Sequence, residues 1–251
     1  KDAGADVSVG DSPNGIFEPD TCWSVSGLKT ACERSGAKEI HFEALGTRII
    51  DGVALSKAIF DADFVVNLPK FKTHSLTALT VCVKNLFGCV SGMMKSAHHR
   101  DNPDSRDFNA LLVKISDIVN PSLNIVDAID AMDGNGPSAG GLVNLSAIIA
   151  GTNHHDIDAI CAKIIGINPL DIETLRHAAK TGTWQSDDPI QIVGDDIESF
   201  IKKDFRMPST FRQGALKSGV SKLIQRIIWS SLSSQPVIDE DICVKCYLCV
   251  R

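Results

Sequence analysis

"DFVVNLPKFKTHSLTALTVCVKNLFG", residues 63–88, decides how the rest of this chain is read. It opens on a short apolar and β-branched run, Asp63–Asn67, which reads as a strand. A polar exit carrying Lys70, Lys72, Thr73 and His74 follows, and then the apolar pattern of Leu76–Phe87 reads as a helix. Strand, polar exit and helix make half of a βαβ unit. Outward from it, strands are predicted at Asp6–Val9, Glu39–Phe42, Ser122–Asp127, Leu145–Ala150 and Pro189–Val193. Helices are predicted at Asp20–Ser35, Val53–Asp61, Asp107–Val119, Asp156–Ile165, Pro169–Lys180 and Arg212–Leu232. This alternation predicts an α/β fold, a mostly parallel sheet flanked by helices. The last helix places Leu216, Val220, Leu223, Ile224, Ile227 and Ile228 on one stripe, and Ser230–Pro236 reads as a linker behind it.

Composition narrows the class. The 251 residues suit one large or two small domains, and 43% hydrophobic with 22% charged excludes a disordered chain, a collagen and a coiled coil. Lys+Arg 25 against Asp+Glu 31 leaves a net charge of −6, which speaks against nucleic acid as a partner. No uncharged apolar run reaches the roughly 18 residues of a membrane span. The chain opens on Lys1 inside what reads as a helix running into a strand, and it stops two residues after Cys249. It is therefore read as truncated at both ends, with an α/β domain over 1–232 and the start of a second module over 236–251.

The cysteines divide unevenly. Cys22, Cys32, Cys82, Cys89 and Cys161 are scattered through apolar or helical surroundings and read as small buried hydrophobes in a reducing, cytoplasmic compartment. Cys243, Cys246 and Cys249 stand at strict three-residue intervals in "DICVKCYLCVR", the opening of the Cys-x2-Cys-x2-Cys-x3-Cys-Pro iron–sulfur run. That spacing lets three thiolates converge on three corners of one 4Fe-4S cluster, whereas zinc usually takes its ligands in pairs across a long spacer. The fourth cysteine is absent from this chain. The module is read as the beginning of a small ferredoxin-like domain.

Open parallel sheets gather ligands beyond the carboxyl ends of their strands. Three expected exits carry polar chemistry. The first, Gly10–Gly15, holds Asp11 and Ser12 and taken alone reads as a turn. The second packs Lys70, Lys72, Thr73 and His74 into five residues, with Lys84 and Asn85 a helical face further on. The third, Asp127–Gly141, sets Asp133 and Asn135 in a glycine-rich stretch and taken alone reads as a flexible loop. Convergence of the three would suit a polyanionic or carboxylated small molecule, with Asp11 and Asp133 as the natural partners of the lysines. His154–His155 looks like a metal pair, but adjacent side chains diverge on most backbones, so the pair is expected to cap the following helix. His98, His99 and Arg100 are expected in a polar loop.

Gly10–Pro13 ("GDSP"), Leu68–His74 with Lys84–Gly88, Asp133–Gly140 and Cys243–Cys249 together resemble the domain-of-unknown-function 362 family of iron–sulfur centre proteins. The resemblance spans nearly the whole chain and is most specific over Lys70–Gly88. It implies an α/β domain, a ferredoxin-like tail with two four-cysteine runs and a further N-terminal portion, but no reaction. His154–His155 stands where that family more often shows Asp-Pro.

Together these readings predict a redox protein that passes single electrons to or from an anionic ligand; if an enzyme, it is an iron–sulfur oxidoreductase. Lys72, His74 and Lys84 are the candidate catalytic residues. Asp11, Ser12, Lys70, Thr73, Asn85, Asp133 and Asn135 are the candidate ligand-binding residues, and Cys243, Cys246 and Cys249 the metal ligands. The expected partners are a small anionic ligand and a redox protein, with no nucleic acid and no membrane span. Two rivals stand beside this reading. One is a non-redox enzyme or nucleotide-type cofactor binder of racemase-like character with a structural cluster, and the other is a redox-sensing binding protein.

Overall fold

The computed structural model of the chain describes residues 4–13, 17–102 and 104–211. The predicted helix Arg212–Leu232, the linker Ser230–Pro236, the domain boundary and Cys243, Cys246 and Cys249 lie outside the described residues. At the N-terminal end, β1 (Ser8–Asp11) pairs in parallel with β2 (Lys38–His41). Between them run α1 (Pro19–Ser26) and α2 (Leu28–Ser35), one predicted helix divided at Gly27. The next segment departs from expectation. In place of a helix over Val53–Asp61, β3 (Thr47–Ile50) pairs antiparallel with β4 (Val53–Ser56), and only the single turn α3 (Ala58–Asp61) is helical. The cause is the Asp51–Gly52 pair, with φ of 50° and 81°. Two successive positive φ values form the two-residue turn whose twist matches the flanking strands, and Asp-Gly is its strongest signature.

The second half is organised on one long strand. In chain order it contains β5 (Val66–Asn67), β6 (Lys70–His74), β7 (Ala78–Thr80), α4 (Cys82–Asn85), α5 (Gly92–Asp101) and α6 (Ser105–Val119). The hairpin β8 (Leu123–Asn135) and β9 (Ala139–Gly151) follows, then α7 (His154–Ile164) and α8 (Glu173–Thr181). β5 and then β6 lie along one edge of β8, both parallel to it, and β9 lies antiparallel along the other edge. β7 pairs antiparallel with β6. The fold is α/β, but the sheet is mixed rather than mostly parallel.

Three local corrections explain that difference. Lys70–His74, expected as a loop, is a strand: Phe71 and Thr73 are fully buried on one face, and Lys70, Lys72 and His74 alternate onto the other. The expected helix Leu76–Phe87 begins instead as β7, with His74 opposite Ala78, and only Cys82–Asn85 is α-helical before a 3-10 turn over Leu86–Cys89. Thr77, Thr80, Val81 and Val83 are β-branched and weaken a helix there, and the Thr77 hydroxyl donates to the Leu79 carbonyl at 2.8 Å. The expected loop Asp127–Gly141 forms the distal arms and turn of the β8–β9 hairpin. Pro189–Val193 forms no strand, and His98–Arg100 lie within α5.

The core lies between this sheet and its helices. On α6, Phe108, Leu112, Ile115 and Val119 make a single buried stripe, and α6 packs on α4 and α8. Each such side chain contributes about 1.5–3 kcal/mol on burial. Cys32, Cys82, Cys89 and Cys161 are buried free thiols and Cys22 is half-buried, in keeping with their reading as small hydrophobes. No helix among the described residues is long and apolar enough to cross a membrane.

The hairpin turn is seated directly on β6. Gly136 N donates to Thr73 Oγ1 at 3.3 Å, and Ser75 N donates to the Gly136 carbonyl at 3.2 Å. A Cβ at Gly136 would stand 2.1 Å from the Thr73 carbonyl oxygen. Gly136→Ala is therefore expected to cost about 1–3 kcal/mol, read as a lower denaturant midpoint. An unchanged midpoint would show that the turn and β6 separate freely.

Candidate functional site

The alternation along β6 sends Lys72 and His74 to the same side, half-buried. α4 brings Lys84 beside them, and α5 brings Lys95 and His99, four residues apart on one helical face. The start of α4 is held by Asp158 of α7, whose two carboxylate oxygens accept from Cys82 N at 2.7 Å and Val83 N at 3.2 Å. These are amide groups that the first turn of a helix leaves without intrahelical partners. The Lys84 ammonium lies 4.5 Å from the centre of the Phe87 ring and 5.8 Å from that of Phe108, and the His99 ring stacks on Phe108 at 4.3 Å.

The electrostatics of this cluster are one-sided. Burial, together with the charges of Lys95 and Lys72, pulls the Lys84 pKa down to about 7. No carboxylate among the described residues forms an ion pair with it. His74 falls to about 3, through burial first and then Lys84, His99 and Lys72, and His99 falls to about 4 for similar reasons. Both imidazoles are neutral at pH 7. His74 Nδ1 accepts from Leu76 N at 3.1 Å, so the ring proton sits on Nε2 and is available as a donor. His74 therefore offers a hydrogen-bond donor rather than a positive charge.

The rim opposite is supplied by the exit of β1. Ser12 is buried, its hydroxyl donates to Glu43 Oε1, and its carbonyl accepts from Lys95 Nζ. Asp11 accepts from Ser12 N at 2.8 Å. Asp11 keeps surface exposure, yet the protein packed around its carboxylate raises its pKa by desolvation, opposed by Lys95. Burial lowers Lys95, opposed by Asp11 and Glu43.

The remaining predicted residues go elsewhere. Lys70 forms an exposed ion pair at 2.8 Å with Asp127, its register partner on β8. Thr73 faces the core and holds the hairpin turn. Asn85 donates to Asn67 at 2.8 Å, and Asn67 in turn donates to Asn124 at 2.9 Å, a buried amide chain linking α4 to the start of β8. Asp133 partners no lysine among the described residues: Arg206 grips it with Nη2 at 2.6 Å and Nε at 2.8 Å and holds its carboxyl below the usual range. Asn135 accepts from Ser209 N at 3.0 Å. Lys95, His99 and Glu43 were not expected at the site. The four-residue spacing of Lys95 and His99 was the signal that could have found the first two, once "GMMKSAHHRD" is read as a helix.

Among the described residues, two groups of side chains could hold a metal ion. Asp20, Glu39 and His41 form a partly exposed set in which His41 already pairs with Glu39 at 2.8 Å, while Asp117, His154 and His155 lie far along the sheet from Lys72.

Comparison with known proteins bears on the segments just described. The chain is 34% identical over 170 residues to a thylakoid-associated protein of Synechocystis sp., a match covering 63% of this chain and 53% of that protein. The chain thus spans about half the length of this curated relative. No solved structure matches it. The model of the domain of unknown function DUF362 matches residues 1–163, which takes in β1, β6, α4, α5 and the β8–β9 hairpin, and the chain belongs to that family.

Proposed function

We propose that this protein binds a small polyanionic or carboxylated ligand between Lys72, His74, Lys84 and Lys95, and that it acts on that ligand as an iron–sulfur redox protein. One observation carries the ligand half: Lys84 is a desolvated cation whose charged neighbours are two further lysines, with no carboxylate paired to it among the described residues. Burying like charges together is costly, and an anion between them relieves both desolvation and repulsion. His74 would add a hydrogen bond from Nε2, while Asp11 and Glu43 hold Lys95 in place. Lys84, titrating near 7, is the group suited to move a proton at neutral pH.

The redox half rests on the donor set. Three thiols at Cys-x2-Cys-x2-Cys spacing suit three corners of a 4Fe-4S cluster. Such a centre, held by Cys243, Cys246 and Cys249, supplies single electrons when bound. The buried, unbridged cysteines of the α/β part support a reducing, cytoplasmic compartment.

Calorimetric titration of the full chain with inorganic pyrophosphate and with oxalate, at pH values on either side of about 7, tests the ligand site. Binding is expected to weaken several-fold as pH rises through that value and to be lost in Lys72→Ala at an unchanged unfolding midpoint. Failure of both anions to bind, or Lys72→Ala binding as the parent does, would overturn it. Iron and sulfide content after anaerobic purification tests the redox half independently: about four of each supports it, and zinc or no metal removes it.

A further inference from the structure

Consecutive histidines are expected to diverge, and at the entrance to α7 they do not. Asn153 caps this helix, its Oδ1 accepting from His155 N at 2.9 Å and Asp156 N at 3.2 Å, so neither imidazole is needed there. The two rings instead lie 4.2 Å apart and turn the same edge toward the end of α6. His154 Nε2 stands 3.4 Å and His155 Nε2 3.1 Å from one and the same oxygen, Asp117 Oδ1. Both histidines are buried, at 5% and 2% exposure, and Asp117 is partly open to solvent. Beside them is a cavity of about 480 Å³, walled further by Asn120, Thr152, Asn153 and Thr183.

One carboxylate oxygen accepts from two imidazole N–H groups, and the same convergence of two ring nitrogens and an oxygen matches one face of a coordination polyhedron. All three potential ligand atoms lie within 4.8 Å of one another. Metal–ligand bonds of about 2.0–2.1 Å in a tetrahedron place neighbouring ligands about 3.3–3.4 Å apart. Two of the three edges, at 3.1 and 3.4 Å, fall close to that length, and the third lies within 4.8 Å. Two imidazoles and a carboxylate are the borderline donor set that zinc and ferrous iron prefer. We propose that Asp117, His154 and His155 form a divalent transition-metal site, with zinc as its first occupant and an open coordination position facing the cavity. The polar wall of that cavity, amide and hydroxyl groups, suits a metal-bound water or an oxygen-bearing ligand. His155 Nδ1 has no hydrogen-bond partner among the described residues, which supply no outer support to orient this ring on that side. Binding is accordingly expected to be about 10–100-fold weaker than at a fully supported site of the same ligands.

The site stands apart from the lysine cluster, and its test distinguishes metal held here from metal held by the C-terminal thiols. In the full chain carrying Cys243→Ser, Cys246→Ser and Cys249→Ser, cobalt titration is expected to give visible ligand-field bands saturating at one equivalent, without a sulfur charge-transfer band. Zinc is expected to displace them. Asp117→Asn and His154→Ala are each expected to lower affinity at least about ten-fold. Asp117→Asn keeps an acceptor for the imidazole N–H groups, so its fold should persist if His154→Ala proves unstable. Absence of the bands at millimolar cobalt, a sulfur charge-transfer band, or bands that survive Asp117→Asn would each overturn the assignment.

Discussion

Lys84→Met is expected to yield a protein about 2–3 kcal/mol more stable at neutral pH that binds pyrophosphate at least ten-fold more weakly. Lowering the Lys84 pKa from 10.5 to about 7 means that folding disfavours the charged form, at about 1.4 kcal/mol per unit. Methionine keeps an unbranched apolar stem against Phe87 and Phe108 and removes the charge; part of the gain is offset by the lost cation–ring contacts. The sign of the pH dependence follows. Between about 7 and 10.5 the unfolded chain holds a proton on Lys84 that the folded chain has released, so stability rises with pH across that window. Below about 7 both states are protonated and this contribution is flat. Denaturant midpoints measured against pH should show the rise in the parent and its loss in Lys84→Met. A variant with the parent's slope would mean that Lys84 is solvated and carries no unpaired charge. Gain of stability with loss of binding is the pattern of a residue retained for function.

Asp158→Ala should produce the largest loss, about 3–5 kcal/mol. Asp158 is buried in α7 and accepts from the amides of both Cys82 and Val83. Alanine leaves two buried donors without partners, each costing about 1–3 kcal/mol, and opens a small void besides. Asp158→Asn retains one acceptor and turns an N–H₂ toward the second amide, so it should lose less than alanine but still more than 1 kcal/mol. Thermal and denaturant unfolding of the two variants provide the check. A loss below about 1 kcal/mol in Asp158→Ala would show that another group satisfies the start of α4. Because α4 carries Lys84, the folded fraction of either variant should also bind anions more weakly.

Local pattern carried part of this architecture. The βαβ opening was legible because β-branched runs bracket a helix-length segment, and α6 because Phe108, Leu112, Ile115 and Val119 recur at the helical period. The strand β6 was hidden by its composition: Lys70, Lys72 and His74 alternate with Phe71 and Thr73, a two-residue period that reads as a strand only when the polar face is allowed to be half-buried. β7 and β4 were mistaken for helix, since short apolar runs satisfy both periods and the deciding signals were Thr77, Thr80 and the Asp51–Gly52 turn.

What the sequence by itself determined was the chemistry available: lysines and a histidine beside an apolar anchor, a triplet of thiols, and a pair of histidines at a helix entrance. Only the tertiary structure decided the partners. Asp133 goes to Arg206, 73 residues away, and Lys84 is left without a carboxylate partner among the described residues; Lys95 and His99 arrive from α5; and Asp117 meets both histidines across 37 and 38 residues. The reason is physical. Periodicity is a property of neighbours along the chain, whereas a charge takes whichever partner the packing of distant elements leaves within reach.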